Sequence, residues 1–390
     1  MSKVQLCDKT TCTQCMACVS SCPKGCITMV DAGQGFAVPQ IDKLKCVECG
    51  VCMRSCHQIE KNLERNTPTK TLACWTKIIS DRRKSSSGGV FSVLARKVLS
   101  QNGVVYGATM DKNLQVHHIG IKCTEDLPRL QGSKYVQSLM GDTFIQVRQH
   151  LKDGLLVLFT GTPCQVGGLL TFLHKKYENL ITCDVICHGV PSQSAFDAFC
   201  KRTHLNGTCE GISFRFTEGW GYQLAREIHS TKNEGCNPSQ VKRRPVCPSK
   251  AWYMRAFNKS LMFNEACYTC PYTTIERVSD FTMADYWGLG TKAPFKHPTY
   301  QGISMLLVNT SKAVELLKSL PDLYYEERDL QEAIEGNYNL SQSSIRPGER
   351  EQFIKDLFDM NKKNLVKQYG LQANIRDYIR LFKQWVNSKR

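Results

Sequence analysis

The sequence predicts an α+β protein in which a small cysteine-rich domain precedes an α/β domain and a helical C-terminal segment. Three patterns support this division. Cysteines recur at short, fixed spacings near the N-terminus, short apolar strands alternate with amphipathic helices in the middle of the chain, and helical periodicity with mixed charge marks residues 348–367. A chain of 390 residues is long enough for two or three domains. We place them at residues 1–66, 67–310 and 311–390.

The N-terminal cysteines form an internal repeat of the pattern C-x2-C-x2-C-x3-C. In this pattern three closely spaced cysteines wrap one cluster, and the fourth cysteine reaches the other cluster. Zinc is the alternative, but paired C-x2-C knuckles would not need the additional C-x2-C in each half. We therefore predict two [4Fe-4S] clusters, one held by Cys12, Cys15, Cys18 and Cys56 and the other held by Cys46, Cys49, Cys52 and Cys22.

Three residues of this region depart from the repeat. His57 stands where the first half has Pro23, and we expect it to be a solvated replacement for a turn proline. Cys7 and Cys26 have no place in the ligand pattern. We predict that both are small packed thiols, as most unligated cysteines are.

Composition indicates a metal-binding protein of a reducing compartment. The chain has 21 cysteines, and an odd number crowded at two-residue spacings argues against a disulfide framework in a secreted protein. The N-terminus lacks the apolar core of a signal peptide, and no apolar run approaches the ~18 residues that a membrane span needs. We expect a cytoplasmic protein without a membrane span.

The formal net charge of +16 raises the question of a nucleic-acid or anionic-membrane partner. Three four-thiolate clusters would lower it to about +10, because each oxidised cluster carries about −2. No zinc-finger histidine pair or RNA-binding aromatic motif accompanies the basic residues. The sequence therefore disfavours nucleic acid and favours acidic cofactors and acidic redox partners.

A small-residue loop in the middle of the chain has the composition of an anion site. The residues 85–89 are Ser-Ser-Ser-Gly-Gly, and they lead into Val90–Leu99, whose apolar residues fall at helical spacing. Free backbone N–H groups at a helix start bind phosphate or pyrophosphate well. Serine and glycine are also ordinary capping and turn residues, so the loop alone leaves both interpretations open.

Two further cysteines stand where predicted strands end, and two more form a close pair. Cys164 follows the apolar run 155–159, and Cys187 ends the run 180–187. In open α/β sheets the carboxyl ends of the strands are where cofactors bind. With Cys267 and Cys270 they make four thiols, enough for another [4Fe-4S] cluster or a zinc ion. Separate packed thiols are the alternative.

Several separated motifs, in order, resemble the beta-subunit family of coenzyme F420 (deazaflavin) hydrogenases and dehydrogenases. The resemblance extends from about residue 72 to residue 307, and the cluster-binding N-terminus also fits it. The matching segments are residues 86–89 (Ser-Ser-Gly-Gly), 132–137 (Gly-Ser-Lys-Tyr-Val-Gln), 161–165 (Gly-Thr-Pro-Cys-Gln), 187–191 (Cys-His-Gly-Val-Pro) and 267–288, with its C-x2-C pair and its Ala-Asp-Tyr-Trp-Gly end.

The resemblance implies an FAD-binding α/β domain with its own [4Fe-4S] cluster beside the flavin. It assigns this third cluster to Cys164, Cys187, Cys267 and Cys270, and FAD contacts to Ser87, Gly88, Gly89, Ser133, Lys134 and Thr162. The substrate does not follow from it. The deazaflavin coenzyme is the eponymous substrate, while other members resemble chlorophyll-derivative reductases or reductases associated with polysaccharide synthesis.

The function we expect is that of an iron-sulfur flavoprotein oxidoreductase. Electrons would pass from a reduced ferredoxin or a partner redox subunit through the clusters to FAD, and then to an organic acceptor. The alternative is a non-catalytic, ferredoxin-type electron-carrier subunit of a larger complex that binds no flavin. The sequence assigns neither catalytic residues nor an oligomeric state.

Overall fold

An eight-stranded mixed sheet organises the chain. The computed structural model describes residues 4–205, 211–215, 224–228 and 242–387. The strands of the sheet are β3 (Lys70–Thr76), β4 (Val104–Met110), β5 (Val116–Ile121), β6 (Val157–Gly161), β7 (Leu180–Val185), β11 (Phe281–Asp285), β12 (Ser304–Val308) and β13 (Leu323–Glu327). Their order across the sheet is β13-β3-β12-β11-β7-β6-β4-β5.

Four parallel strands form the centre of this sheet. β4, β6, β7 and β11 run in one direction, while β5 at one edge and β12, β3 and β13 toward the other edge pair antiparallel with their neighbours. The parallel strands bring their carboxyl ends to one edge, which is the edge where α/β sheets hold ligands.

Helices cover both faces of the sheet, as expected for buried parallel strands. The helices of the main body are α3 (Ile79–Lys84), α4 (Val90–Leu99), α5 (Leu127–Leu130), α6 (Thr143–Lys152), α7 (Pro163–Leu173), α8 (Gln193–Thr203), α9 (Trp252–Asn258), α10 (Ser311–Lys318) and α11 (Leu330–Gly336). One face of the sheet packs on α4 and α10, and the other packs on α6 and α7.

The N-terminal region is a small ferredoxin-like unit. It contains α1 (Ala17–Ser21), β1 (Ile27–Asp31), β2 (Ala37–Ile41) and α2 (Val51–Arg54), and the two strands form an antiparallel hairpin. Each of its helices begins directly after a residue with positive φ, Met16 in the first half and Gly50 in the second. The chain is thus a mixed α/β protein with a small N-terminal unit that carries the cysteine repeat, and we call this part the iron-sulfur unit after its predicted cofactors.

A second, three-stranded sheet lies beside an aromatic core. It consists of β8 (Gly211–Ser213), β9 (Ala225–Ile228) and β10 (Lys242–Pro245), in the order β10-β9-β8. The basic run 242–245 forms one of these strands, and within it Arg243 pairs with Glu227 of β9. The remaining helices are α12 (Arg350–Asp359), α13 (Lys362–Gln368) and α14 (Ile375–Asn387).

The segment expected to be helical from residue 311 also contains a strand. β13 pairs antiparallel with β3, with Leu323 opposite Thr76. In β13, Leu323 is buried and Glu327 is exposed. This pattern is expected for an edge strand with one face covered by protein. The sheet therefore extends beyond residue 310, where the sequence predicts the end of the α/β domain.

Gly88 allows three segments to meet at the end of β3. A Cβ atom at this position would lie 2.3 Å from the carbonyl oxygen of Cys74 and 2.7 Å from the amide nitrogen of Ser304. Both contacts are with backbone in the main sheet, so neither neighbour can rotate away. A side chain at position 88 would therefore displace the loop or the sheet.

We predict that Gly88→Ala lowers the free energy of unfolding by about 2 kcal/mol or more, because overpacking against fixed backbone strains the sheet. Anaerobic urea denaturation measures the change. Gly348→Ala is the matched control, since its added methyl group meets nothing within 4 Å. Equal midpoints for the two variants would contradict this account of the contact.

Candidate iron-sulfur and cofactor site

The structure brings the N-terminal cysteines together as two sets, each around its own cavity. The cavities measure about 360 Å³ and 320 Å³. Each set combines three cysteines from one half of the repeat with the fourth from the other half, which is the crossed arrangement. The first cavity is lined by Cys12, Cys15, Cys18 and Cys56, and the second by Cys22, Cys46, Cys49 and Cys52.

Matching left-handed residues curl each loop around its cavity. Gln14 and Met16 have φ of 58° and 63°, and Glu48 and Gly50, which occupy the same positions of the repeat, have φ of 54° and 69°. This region of backbone space is costly for residues with a side chain. Both halves adopt it, which directs successive cysteines inward.

Cys7 and Cys26 contact the cysteines that complete each set. The Sγ of Cys26 lies 3.3 Å from that of Cys22, and the Sγ of Cys7 lies 3.8 Å from that of Cys56. Each therefore also lines a cluster cavity. The two thiols excluded from the ligand pattern are packed, and they pack against its fourth ligands.

Burial makes these thiols unfavourable as anions unless a metal compensates them. Burial raises the pKa of Cys15 to about 12. Burial likewise raises the pKa of Cys18, and the nearby Cys15 and Cys56 raise it further. Metal ligation requires thiolates, so the positive charge of a metal would be needed to stabilise their ionised form here.

Cys164, Cys187, Cys267 and Cys270 also come together. Cys164 lies in the first turn of α7, Cys187 follows β7, and the pair lies in and after the 3₁₀ turn Glu265–Thr269. Burial raises the pKa of Cys267, and repulsion from the other three thiolates raises it further. Burial also raises the pKa of Cys187, with added repulsion from Cys164 and Cys270. These four thiols are thus electrostatic neighbours.

None of the three sets gathers its thiols tightly around a single point. Among the described residues, no three histidine, cysteine or acidic side chains converge closely enough to hold one metal ion. A zinc ion, with Zn–S bonds of about 2.3 Å, needs its thiolates gathered around one point. The thiols of the two N-terminal sets instead line a cavity, which is the arrangement that a larger inorganic core requires.

A buried arginine stands beside the third set. Arg277 pairs with Asp184 at 2.9 Å, with both side chains inaccessible, and donates to the carbonyl oxygen of Tyr272 at 2.6 Å. Its positive charge opposes the increase in pKa that burial causes at Cys187 and Cys270. No sequence pattern indicated this residue, because its partner lies 93 positions earlier in the chain, on β7.

Helix α7, which carries Cys164 of the third set, lies directly against the first N-terminal set. Gly168, on α7 one turn after Cys164, has Cys15 as its neighbour: a Cβ at Gly168 would lie 2.8 Å from the Sγ of Cys15. A Cβ at Gly167 would lie 2.0 Å from the hydroxyl oxygen of Tyr272. The two glycines therefore remove the side chains that would otherwise separate α7 from the iron-sulfur unit.

His57 is buried, and its expected solvent exposure is wrong. The ring is 4% exposed, with Nδ1 2.8 Å from the Tyr272 hydroxyl and Nε2 2.9 Å from the Thr13 hydroxyl. Burial lowers the pKa of His57 to about 4, so the ring is neutral. A proline here could make neither hydrogen bond. His57 therefore joins the cluster loop around Thr13 to the segment that follows Cys270.

A large open cavity lies at the carboxyl ends of the parallel strands. It encloses about 1520 Å³, including the solvent at its mouth, and Cys187 of the third set forms part of its wall. Of the six residues expected to contact FAD, five line it: Ser87, Gly89, Ser133, Lys134 and Thr162. Gly88 does not line the cavity, because its amide donates to Ser304 Oγ at 2.9 Å within the sheet.

The small-residue loop forms the cavity wall at the start of α4. Gly89 is the residue before the helix and has φ of 88°, which favours glycine. Ser133 donates from its amide to Ser86 Oγ at 2.8 Å, so this loop and the segment 131–138 form one continuous surface. The N-terminus of a ten-residue helix thus forms part of the wall of this cavity, where its free N–H groups suit an anionic group.

Lys134 has a structural role that the sequence does not reveal. Its ammonium group donates to the carbonyl oxygens of Gln131 at 2.9 Å, Leu130 at 3.2 Å and Arg129 at 3.3 Å, at the end of α5. Burial lowers the pKa of Lys134 to about 7. The side chain therefore holds the loop that carries Ser133.

Arg215 and Asp285 form a buried ion pair in the cavity wall. The Arg215 Nη1 lies 2.6 Å from Asp285 Oδ2 and 3.3 Å from the hydroxyl of Tyr135. Asp285 ends β11 and belongs to the Ala-Asp-Tyr-Trp-Gly motif, and Tyr135 belongs to the Gly-Ser-Lys-Tyr motif. The two motifs could have indicated Asp285 and Tyr135 as site residues, whereas Arg215 lies in no recognisable sequence pattern.

A chain of hydrogen bonds fixes the start of α7. His118 donates from Nε2 to the carbonyl oxygen of Thr160 at 3.0 Å, so its Nδ1 accepts from Ser138 at 2.8 Å. Ser138 in turn accepts from Gln165 Nε2, and Gln165 Oε1 accepts from the amide of Thr162 at 2.9 Å. Each polar group has a partner, and the network sets the position of the helix that carries Cys164.

Two family models match the chain. Residues 155–333 match the model for the C-terminal part of the beta subunit of coenzyme F420 hydrogenase/dehydrogenase, and residues 11–58 match that of a 4Fe-4S dicluster domain. The resemblance to this beta-subunit family is confirmed. The beta-subunit match includes the third thiol set, and the dicluster match includes both N-terminal sets. The chain is therefore an iron-sulfur protein related to an oxidoreductase subunit.

A solved structure is also similar to this chain. It is a chain of the F420-reducing [NiFe] hydrogenase complex from Methanosarcina barkeri, with 16% sequence identity and a TM-score of 0.44 over 78% of this chain and 92% of that chain. No curated protein sequence matches. Within the described residues, no helix has the length and apolar character of a membrane span.

We predict that the buried His118 makes the free energy of unfolding depend on pH. Burial lowers its pKa to about 4 from an ordinary 6.5. The unfolded chain therefore binds more protons between pH 4 and 6.5, so stability is complete above this window and falls as the pH falls through it. Between pH 7 and 5 the wild type should lose about 2 kcal/mol more than His118→Gln.

Anaerobic urea midpoints at the two pH values measure this difference. His117→Gln is the matched control, because its side chain lies on the opposite face of β5 and is partly exposed. Between pH 7 and 5 this variant should lose as much stability as the wild type. If His118→Gln lost as much stability as the wild type between pH 7 and 5, the buried neutral imidazole could not be the cause of the pH dependence.

Proposed function

We propose that this chain is an iron-sulfur flavoprotein that carries electrons from a one-electron donor to an organic acceptor. The observation that supports it best is a series of adjacent sites: Cys15 of the first N-terminal set packs on Gly168 of α7, one turn after Cys164 of the third set, and the third set borders the cavity through Cys187. The cofactors would be two [4Fe-4S] clusters in the N-terminal unit, a third [4Fe-4S] cluster bound by Cys164, Cys187, Cys267 and Cys270, and FAD in the cavity.

Thr162 connects the third set to the cavity. Its hydroxyl lies 3.1 Å from the Sγ of Cys164, while the residue lines the cavity and caps α7. A flavin bound there would exchange single electrons with the cluster and pairs of electrons with an organic molecule. The chain's own contribution is to hold both reactants in one place and to exclude water from the inner wall.

The donor would approach the second cluster. Cys49 is exposed, and Leu44, five residues earlier in the chain, is 99% exposed. The same loop exposes Asp42, Lys43, Lys45 and Glu48, and Asp42 pairs with Lys45 at 3.4 Å, so the loop has no excess of basic charge. The exposed cysteine and the exposed apolar side chain make this end of the unit accessible to a protein donor.

Coenzyme F420, which gives the matched family its name, is one candidate for the acceptor, and another organic molecule is the alternative. The rival proposal is a carrier subunit that binds no flavin. The two differ in one cheap observation, which is whether the anaerobically purified protein releases about one flavin per chain.

We predict ~12 iron atoms per chain after anaerobic reconstitution, four for each cluster. The double variant Cys267→Ser/Cys270→Ser should retain ~8 iron atoms and the two-cluster signal in electron paramagnetic resonance, because the N-terminal ligands are untouched. Cys123→Ser is the control, since this exposed cysteine lies outside the three sets.

Elemental analysis decides between the outcomes. A wild type that saturates near 8 iron atoms would leave only the N-terminal clusters, and stoichiometric zinc without sulfide would remove the third cluster from the proposal. Absence of flavin from the reconstituted wild type would favour the carrier subunit.

We predict that Gly168→Ala slows the reduction of the bound flavin by ferredoxin by about tenfold, because the added methyl group pushes Cys15 away from α7 and misplaces the two redox groups. Anaerobic stopped-flow measurement of flavin bleaching gives the rate. Iron and flavin contents should equal those of Gly348→Ala, the control. An unchanged rate at full cluster content would exclude the contact between Cys15 and α7 as the electron path.

A further inference from the structure

The last helix of the chain exposes an apolar face. Along α14 the large apolar residues Ile375, Tyr378, Ile379 and Phe382 recur at the spacing of one helix face and are 72%, 42%, 48% and 63% exposed. An isolated exposed apolar residue is ordinary, but four on one face form a contiguous surface. Such a surface indicates an interaction.

The start of α14 is fixed to the body of the protein. Asp377 pairs with Arg255 of α9 at 3.6 Å, and Arg255 donates from Nε to the carbonyl oxygen of Leu371 at 2.7 Å. Leu371 itself is fully buried in the aromatic core. The helix that carries the apolar face is therefore held against the protein at its first turn.

Lysine and arginine residues surround the start of α14. Lys250 is exposed in a 3₁₀ turn, Pro248–Lys250, that packs against α14, and its charge is near enough to Lys362 to lower the pKa of that lysine in addition to the effect of burial. Lys363, Lys367 and Arg376 are exposed on the adjoining helices. The acidic Asp377 is already paired with Arg255.

We propose that α14 binds an anionic membrane surface, lying in the plane of the interface. Apolar and aromatic residues on one face, with basic residues beside them, are the features of interfacial helices. With 13 residues the helix is too short to cross a bilayer, which takes about 20. A protein partner would also cover the apolar face, but the excess of lysine and arginine around it is best complemented by anionic lipid headgroups. None of the described residues that form this surface lines the cavities of the proposed redox sites.

Vesicle flotation with the full-length holoprotein tests the proposal. The wild type should float with vesicles of phosphatidylcholine containing about a third phosphatidylglycerol, and should bind pure phosphatidylcholine more weakly. Ile379→Asp/Phe382→Asp removes two of the four apolar side chains and should weaken binding about a hundredfold. Lys250→Glu/Arg376→Glu should weaken binding to the anionic vesicles only.

Ile345→Asp is the matched control, because it replaces an apolar residue that is 84% exposed and lies outside α14, so this variant should bind vesicles like the wild type. Unchanged iron content in each variant verifies the fold. Absence of wild-type flotation, or equal flotation of the Ile379→Asp/Phe382→Asp variant, would overturn the proposal. A concentration-dependent dimer that this variant abolishes, without lipid binding, would identify a second copy of the chain as the occupant and would equally overturn it.

Discussion

The close approach of α7 to the iron-sulfur unit is the constraint on which the rest of the structure depends. Thr162, Cys164 and Gly168 fall within seven residues of one helix and its cap, a span of about 9 Å along the axis at 1.5 Å per residue. Thr162 faces the cavity, Cys164 belongs to the third thiol set, and Gly168 abuts Cys15. One rigid element therefore fixes the distances between three sites, and the network from His118 to Gln165 fixes that element.

Charge is the second constraint, because the thiols of the third set are buried together. Four adjacent thiolates in a poorly solvated site repel one another, and burial alone raises their pKa well above the ordinary range. Arg277 supplies a nearby positive charge, but Asp184 already pairs with it. The protein's own charges therefore offset only part of this repulsion. A cationic metal core would make the set stable as thiolates.

Local patterns in the sequence determined what could be predicted from it. The cysteine repeat gives the crossed N-terminal sets because cluster ligation imposes a fixed spacing, and helical periodicity gives α4 with the bounds that the structure shows. The burial of His57 could not be predicted, since its partner Tyr272 lies 215 residues away in the chain. The same holds for Arg215 and for β13, whose pairing with β3 joins residues far apart in sequence. These features depend on long-range contacts, whereas the role of Lys134, which the sequence also did not reveal, depends on carbonyl oxygens three to five residues away.

The helix α9 links the cavity to the proposed membrane surface. Phe257 of α9 lines the cavity, and Arg255, two residues earlier, pairs with Asp377 of α14. Residues two apart on a helix point about 200° from each other, so one side of α9 faces the cavity while the other holds α14. The exposed Cys49 belongs instead to the iron-sulfur unit, which contacts the sheet through α7. Electron entry and membrane contact therefore involve different elements of the chain.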